Sequence, residues 1–321
     1  MKTQNKRIKI SILDITFCLT AGFILLMTSC KKDTSKKELA YNVPPPITSN
    51  KKQTPSKPLS KEFNDYWYAG EAELSSYKLE QARYGEIREG KAVLIYVTED
   101  FLPKIQVKAD HQNTKNIPVL KLNATKKFNT GVYPYSIMQS TFYPVANNKH
   151  AIKVSSSMQE WCGHVYVQLN NKDDFKITSH SYFEGEADKT YTLKKAVLEN
   201  ELWAKLRVNP KSLPTGNLEI IPSFEYTRLR HIAIKPYKAS GQLKDNSYTI
   251  NYPDLNRTLS IKYNPNFPYD ILGWEETFKS GFGPNAKVLT TKASKLKTIK
   301  SPYWQKNSNK DQILRETLLL N

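Results

Sequence analysis

Apolar residues in this chain recur at every second position, and that period constrains the fold more than any other feature. His164-Val165-Tyr166-Val167-Gln168-Leu169 alternates cleanly. So do Tyr248-Thr249-Ile250-Asn251-Tyr252 and Leu259-Ser260-Ile261-Lys262-Tyr263, on either side of Pro253-Asp254-Leu255-Asn256-Arg257. Successive side chains of a strand point to opposite faces, so these runs read as two half-buried strands joined by a hairpin turn. Val93-Leu94-Ile95-Tyr96-Val97 is apolar throughout and reads as a further strand. The 19 Tyr, 12 Phe and 5 Trp suit a pleated, half-buried surface.

Helical periodicity is rare. It is clearest over residues 311–320, where Ile313, Leu314, Thr317 and Leu318 share a face behind a cap at Ser308 or Asn309. A second short helix is expected over 63–67. The fold class is therefore mainly β: antiparallel β-sheets with a short C-terminal helix.

One pattern recurs. Trp67-Tyr68-Ala69-Gly70-Glu71-Ala72-Glu73, followed by Tyr77, Leu79 and Ala82, is echoed about 115 residues later. The echo is Tyr182-Phe183-Glu184-Gly185-Glu186-Ala187-Asp188, followed by Tyr191, Leu193 and Ala196. This predicts two related half-barrel or sandwich halves, 61–179 and 180–321. In pattern it resembles the half-barrels of periplasmic lipoprotein carriers, whose curved sheet wraps an apolar ligand.

The N-terminus carries Lys2, Lys6, Arg7 and Lys9, and an apolar core of about 13 residues follows Asp14. That is the length of a signal peptide, shorter than the roughly 20 residues of a spanning helix. It ends in Leu26-Met27-Thr28-Ser29-Cys30, which resembles a lipobox of the looser Bacteroidetes type. Residues 1–29 are expected to be removed and Cys30 lipidated. Each buried methylene contributes about 0.8 kcal/mol, so the two or three chains on a lipoprotein cysteine anchor firmly. Residues 30–60 are rich in Lys, Pro, Ser and Thr with no apolar period, and read as a disordered tether with a span of about 30 Å. Of the three cysteines only Cys162 remains once Cys18 leaves and Cys30 is modified, which excludes an intrachain disulfide.

The formal net charge is +18, and losing the signal's four cations and one Asp leaves about +15. Such a charge attracts anionic surfaces. The lysines are scattered, with no basic helix and no aromatic-plus-glycine motif, so nucleic acid is not an expected partner.

Standard chemical signatures are absent: no phosphate-binding Gly-rich loop, no His-Glu-x-x-His, no Gly-x-Ser-x-Gly, no Cys-x-x-Cys. The five His are dispersed, so neither a metal site nor a cofactor is expected. The one constellation to weigh is Glu160-Trp161-Cys162-Gly163-His164. Cys162 and His164 would share a strand face, yet stand about 6.5 Å apart, too far for a thiolate–imidazole bond. A small buried thiol in a tight Gly-containing turn is the plainer expectation. The Glu71/Glu73, Glu184/Glu186 and Glu275/Glu276 pairs meet glycosidase spacing trivially.

The run from Phe63-Asn64-Asp65-Tyr66-Trp67 to Glu99-Asp100-Phe101, with Met158-Gln159-Glu160-Trp161-Cys162-Gly163-His164 and Pro265-Asn266-Phe267-Pro268-Tyr269-Asp270-Ile271-Leu272-Gly273-Trp274-Glu275, resembles an uncharacterised family of flavobacterial (Bacteroidetes) lipoproteins. Its members often carry the label septum formation inhibitor Maf. The resemblance implies lipoprotein status. The label implies a cytoplasmic α/β nucleotide pyrophosphatase with a Ser-Pro-Arg-Arg-type motif, whereas the sole Ser-Pro here is Ser301-Pro302, so no catalytic residue carries over.

The expectation is a non-catalytic lipoprotein of the cell envelope, in the outer membrane at its periplasmic face or on the cell surface. It would bind an apolar or anionic envelope component or a protein partner, with the membrane reached through Cys30. The alternative is a hydrolase, including a Maf-like pyrophosphatase. The candidate cluster is Trp161, Cys162 and His164 where they meet Trp67, Glu71 and Glu186.

Overall fold

A computed structural model describes residues 59–146 and 149–321. The expected signal segment, Cys30 and most of the tether lie outside the described residues.

The chain opens with α1 (Lys61–Trp67), capped by the Ser60 hydroxyl, which accepts from the Phe63 N–H at 3.1 Å. Nine strands follow: β1 (Ala72–Arg83), β2 (Glu86–Leu102), β3 (Val107–Lys108), β4 (Ile117–Thr130), β5 (Tyr133–Pro144), β6 (Lys153–Glu160), β7 (Gly163–Asn171), β8 (Phe175–Ser181) and β9 (Lys189–Leu193). After β10 (Val197–Leu198) come α2 (Glu199–Val208), β11 (Gly216–Ile221) and α3 (Phe224–Arg230). The chain then forms β12 (Tyr237–Lys244), β13 (Ser247–Tyr252), β14 (Arg257–Tyr263), β15 (Ile271–Ser280) and β16 (Lys287–Ser301), and ends in α4 (Ile313–Thr317).

All 16 strands belong to one sheet, antiparallel except where β10 meets β11. Its order is β10-β11-β12-β13-β14-β15-β16-β1-β2-β4-β5-β6-β7-β8-β9, with β3 beside β2. The sheet is thus two meanders that meet where β1 pairs with β16. Its two edges, β9 and β10, are joined by residues 194–196 alone. Four Cα steps reach at most about 14 Å, so the sheet must curl until its edges come together. Val165, Val167 and Ile177 accordingly share a cluster with Leu198, Ile221 and Phe224 across that seam. The 179/180 division falls inside β8.

The mainly β, antiparallel reading and the short C-terminal helix describe this architecture. The hairpin around residues 253–257 forms from β13 and β14, with Asn256 in the left-handed region at φ 46°. Ser308 stands at the N-cap of the C-terminal segment, where the Asp311 carboxylate accepts from its N–H at 3.0 Å and from its hydroxyl at 2.7 Å.

Inside the curl lie α2 and α3. The apolar side chains of α2, Leu202 and Leu206, are buried in the same cluster as Tyr96, Leu122, Ile250 and Trp274 of the wall. Its polar side chains are buried too, so each must find a partner in the wall. Arg207 holds Glu73 of β1 through two contacts of 2.6 Å. Glu199 takes Arg257 of β14 at 2.5 and 2.7 Å, and Arg257 also reaches Glu276 of β15 at 2.6 Å. Glu201 accepts from the Ala151 N–H at 2.6 Å and contacts His150 at 2.9 Å. From α3, Glu225 meets Lys126 of β4 at 2.7 Å and Gln139 of β5 at 3.1 Å. Two short helices are thereby tied to strands from both meanders.

Candidate functional site

The sequence cluster divides between the two ends of the sheet. Glu73 of β1 lies in the row that passes through Tyr96, Leu122, Thr141 and Val154 to Leu169 of β7. His164 of β7 lies in the row that leads back to Lys78 of β1. The two rows are five residues apart, about 17 Å along the strands. Trp67 and Glu71 lie beyond the first row, and Trp161 and Cys162 beyond the second.

Trp67 is a core residue at 1% exposure, beneath the Arg207 guanidinium at 4.9 Å. Glu71 is half-buried, 4.0 Å from Lys300. At the other end, Trp161 and Cys162 form the turn between β6 and β7, with Gly163 at φ 154°. Cys162 is exposed rather than buried: a two-residue hairpin turn projects beyond the sheet and leaves nothing to cover the thiol. Its neighbours are Glu160 and Tyr182, not His164. A hydrogen bond with Glu160, and then slight desolvation, push the thiol up from its ordinary value. The thiolate is therefore disfavoured, the reverse of what a nucleophile needs.

Of the two Gly-Glu-Ala segments, the second reaches this end. The Tyr182 ring packs on Gly163 so closely that a Cβ there would stand 2.6 Å from it. Gly185 and Glu186 then turn over the mouth of the curled sheet. Glu186 accepts from Ser181 Oγ at 2.7 Å, meets His231 Nδ1 at 2.8 Å and lies 3.3 Å from Arg228. Arg228 sits in the last turn of α3, and His231 ends that helix in the left-handed conformation, φ 52°. The guanidinium of Arg228 lies 4.0 Å over the Phe183 ring.

These groups rim a groove of about 240 Å³. Its floor is Val165 and Val167 of β7, Tyr191 of β9, and Ile232 and Ile234 after α3. The rim carries Lys189, Glu186, Arg228 and His231. Arg228 Nε is buried and has no acceptor among the described residues. A buried, unpaired guanidinium N–H costs free energy. Sequence reasoning found Glu186 but missed Arg228 and His231. Their one signal was position, at the end of a helix that the apolar pattern did not reveal.

A second cavity, about 60 Å³, lies between α2, α3 and the wall. Glu199, Glu225, Glu276, Lys126 and Arg257 line it, under Trp203 and Trp274. Burial pushes Glu199 up, but Arg257 outweighs it and holds the carboxyl below its usual range. Burial wins at Glu225, which stays above its usual range despite Lys126. Such a volume holds a few waters and no sugar ring.

No family model matches the chain, and no curated protein matches it. Two solved structures are similar at low scores. One is a β-barrel-like protein of a domain of unknown function, DUF1849, from Brucella abortus: 7% identity, 71% of this chain and 97% of that chain covered, TM-score 0.42. The other is a porin-like protein from Bacteroides uniformis: 11% identity, 75% and 97% covered, TM-score 0.21. No role passes from either to this chain.

Proposed function

We propose that this chain is a non-catalytic binding module of the cell envelope, lipid-anchored through Cys30 in the outer membrane, and that its mouth groove takes an amphiphilic ligand. The observation that carries the reading is the pairing of an aliphatic floor with a rim that bears the cationic groups of Lys189, Arg228 and His231. An apolar segment of the ligand lies on Val165, Val167 and Ile234. Its anionic or acceptor end meets Arg228, with Lys189 and His231 beside it. The groove is smaller than a drug-sized pocket of about 300–1,000 Å³, so it takes one end of a larger molecule.

A hydrolase would need a nucleophile or a free pair of carboxylates lining a cavity. Cys162 has no imidazole partner, and Glu199 and Glu225 are engaged by Arg257 and Lys126.

Titration of the folded domain with octyl phosphate and octanol, followed by NMR, tests the proposal. Octyl phosphate should shift groove resonances and bind about tenfold or more tighter than octanol, a difference near 1.4 kcal/mol. Arg228→Gln should erase that preference. Equal, unlocalised shifts with both compounds would sink the groove reading. Release of inorganic phosphate would hand the case to the hydrolase.

A further inference from the structure

One row on the outer face of the sheet carries charge of a single sign. From β1 to β7 the directly opposed residues are Lys78, Lys91, Lys127, Ser136, Gln159 and His164. Six strands thus contribute no carboxylate. The row faces away from the interior: Lys126, next in sequence to Lys127, points inward to Glu225. Five of the six side chains are exposed, and Lys91 is half-buried because its ammonium reaches the Leu319 carbonyl at 2.7 Å.

Like charges directly opposed on neighbouring strands are destabilising. Lys78 and Lys127 have no carboxylate within ion-pair distance among the described residues to offset it. On one side the next outward row, through Thr125, Met138, Ser157 and Tyr166, is uncharged. On the other side Glu80 and Glu89 oppose each other and bound the row with negative charge. An anion is therefore confined to run across the strands, along the lysines. Strands lie about 4.8 Å apart, so the three lysine stems repeat at that interval over about 10 Å.

We propose that this row binds a linear acidic polysaccharide lying across β1, β2 and β4 to β7. The lysines meet its repeated anionic groups. The hydroxyls and amide of Ser136, Ser157 and Gln159 suit sugar hydroxyls. At the far end, just past the Gln159–His164 pair, Trp161 stands 68% exposed and offers a ring for a sugar face. A bilayer is a poorer fit, because the row has no apolar side chain to insert. Nucleic acid is poorer too, because no series of rings lines the track for successive bases. The proposal goes beyond the mouth groove and does not depend on it.

The test is affinity electrophoresis of the folded domain in polygalacturonate, with neutral dextran, duplex DNA and anionic phosphatidylglycerol vesicles as comparisons. We expect retardation by polygalacturonate and not by dextran, weakening with salt. The triple variant Lys78→Gln/Lys91→Gln/Lys127→Gln should weaken it about tenfold or more, since three charge contacts are lost. Lys→Arg at the same positions should restore it, and Trp161→Ala should weaken it alone. Removing three other exposed lysines, Lys211, Lys238 and Lys287, should change it less than about twofold. Equal loss in both triple variants reduces the effect to net charge and overturns the proposal. Row-dependent binding of DNA or vesicles without binding of polygalacturonate overturns the occupant. A thermal midpoint no lower than the parent's and unchanged octyl phosphate binding in the triple variant separate this outcome from misfolding and from failure of the groove.

Discussion

Arg207 of α2 and Glu73 of β1 form a bidentate ion pair, 2.6 Å at both contacts, with the two side chains 1% and 0% exposed. Tyr66 donates a further hydrogen bond to the same carboxylate at 2.5 Å. The pair links the inner helix to the strand that joins the two meanders. Removing one partner leaves a buried charge uncompensated, which costs about 3–5 kcal/mol. We expect Glu73→Gln to lower the unfolding free energy by that order in urea. The double variant Glu73→Leu/Arg207→Met should recover most of the loss. A loss under 1 kcal/mol in Glu73→Gln would show that water reaches the pair.

Glu225 and Glu73 should give opposite pH dependences. Glu73 ends below the ordinary carboxyl value of 4.5, because Arg207 outweighs the desolvation of its burial. Its stabilisation is present above 4.5 and is lost as pH falls through its lowered folded value. Glu225 ends above 4.5 because burial disfavours its charge. The folded state then binds its proton more tightly, so stability rises as pH falls from neutrality toward 4.5. In Glu225→Gln that rise should disappear while the acid loss below 4.5 remains. A Glu225→Gln profile that parallels the parent from pH 7 to 4.5 would contradict the assignment.

Cys162 should react with a maleimide in the native protein without denaturant, because the thiol is exposed. The rate should climb steeply only on the alkaline side, since Glu160 disfavours the thiolate. Cys162→Ser should leave the thermal midpoint unchanged. Labelling that requires denaturant would contradict the exposed turn.

Gly163→Ala tests the contact between the β6–β7 turn and the second Gly-Glu-Ala segment. The added Cβ meets the Tyr182 ring at 2.6 Å, and φ 154° disfavours a side chain. We expect a loss of about 1–3 kcal/mol, the usual cost of overpacking. Tyr182→Ala in the same background should recover part of it. Loss of octyl phosphate binding in Gly163→Ala would show that this contact also holds Glu186 over the groove.

Much of the wall was legible in the sequence, and little of the interior. Val165, Val167 and Leu169 face the core while His164, Tyr166 and Gln168 face out, so burial and hydropathy share one period. The hairpin of β13 and β14 was readable for the same reason, with Pro253 and Asn256 marking its turn. In α2 the rule fails, because Glu199, Asn200, Glu201 and Arg207 are all buried. Its apolar stripe, Leu198, Leu202 and Leu206, is narrow, and the charged residues beside it read as a solvated face until the wall supplies their partners. The site shows the same limit. Glu186 drew notice through the Gly-Glu-Ala echo, but the two copies are not alike in structure. Gly70 takes φ 77° in the first, whereas the left-handed residue of the second is Ala187, φ 50°.

The sequence by itself determined that the described chain is a sheet of alternating strands with a short terminal helix, because a period of two is written locally in each strand. Only the tertiary structure decided that the sheet curls on itself, that two charged helices fill it, and that Arg228 meets Glu186. Those outcomes rest on partners far apart in the chain: Glu73 with Arg207, Lys126 with Glu225, Glu199 with Arg257. A charged side chain looks the same in sequence whether water or a buried partner is to satisfy it, and the burial that distinguishes the two exists only after the strands have closed.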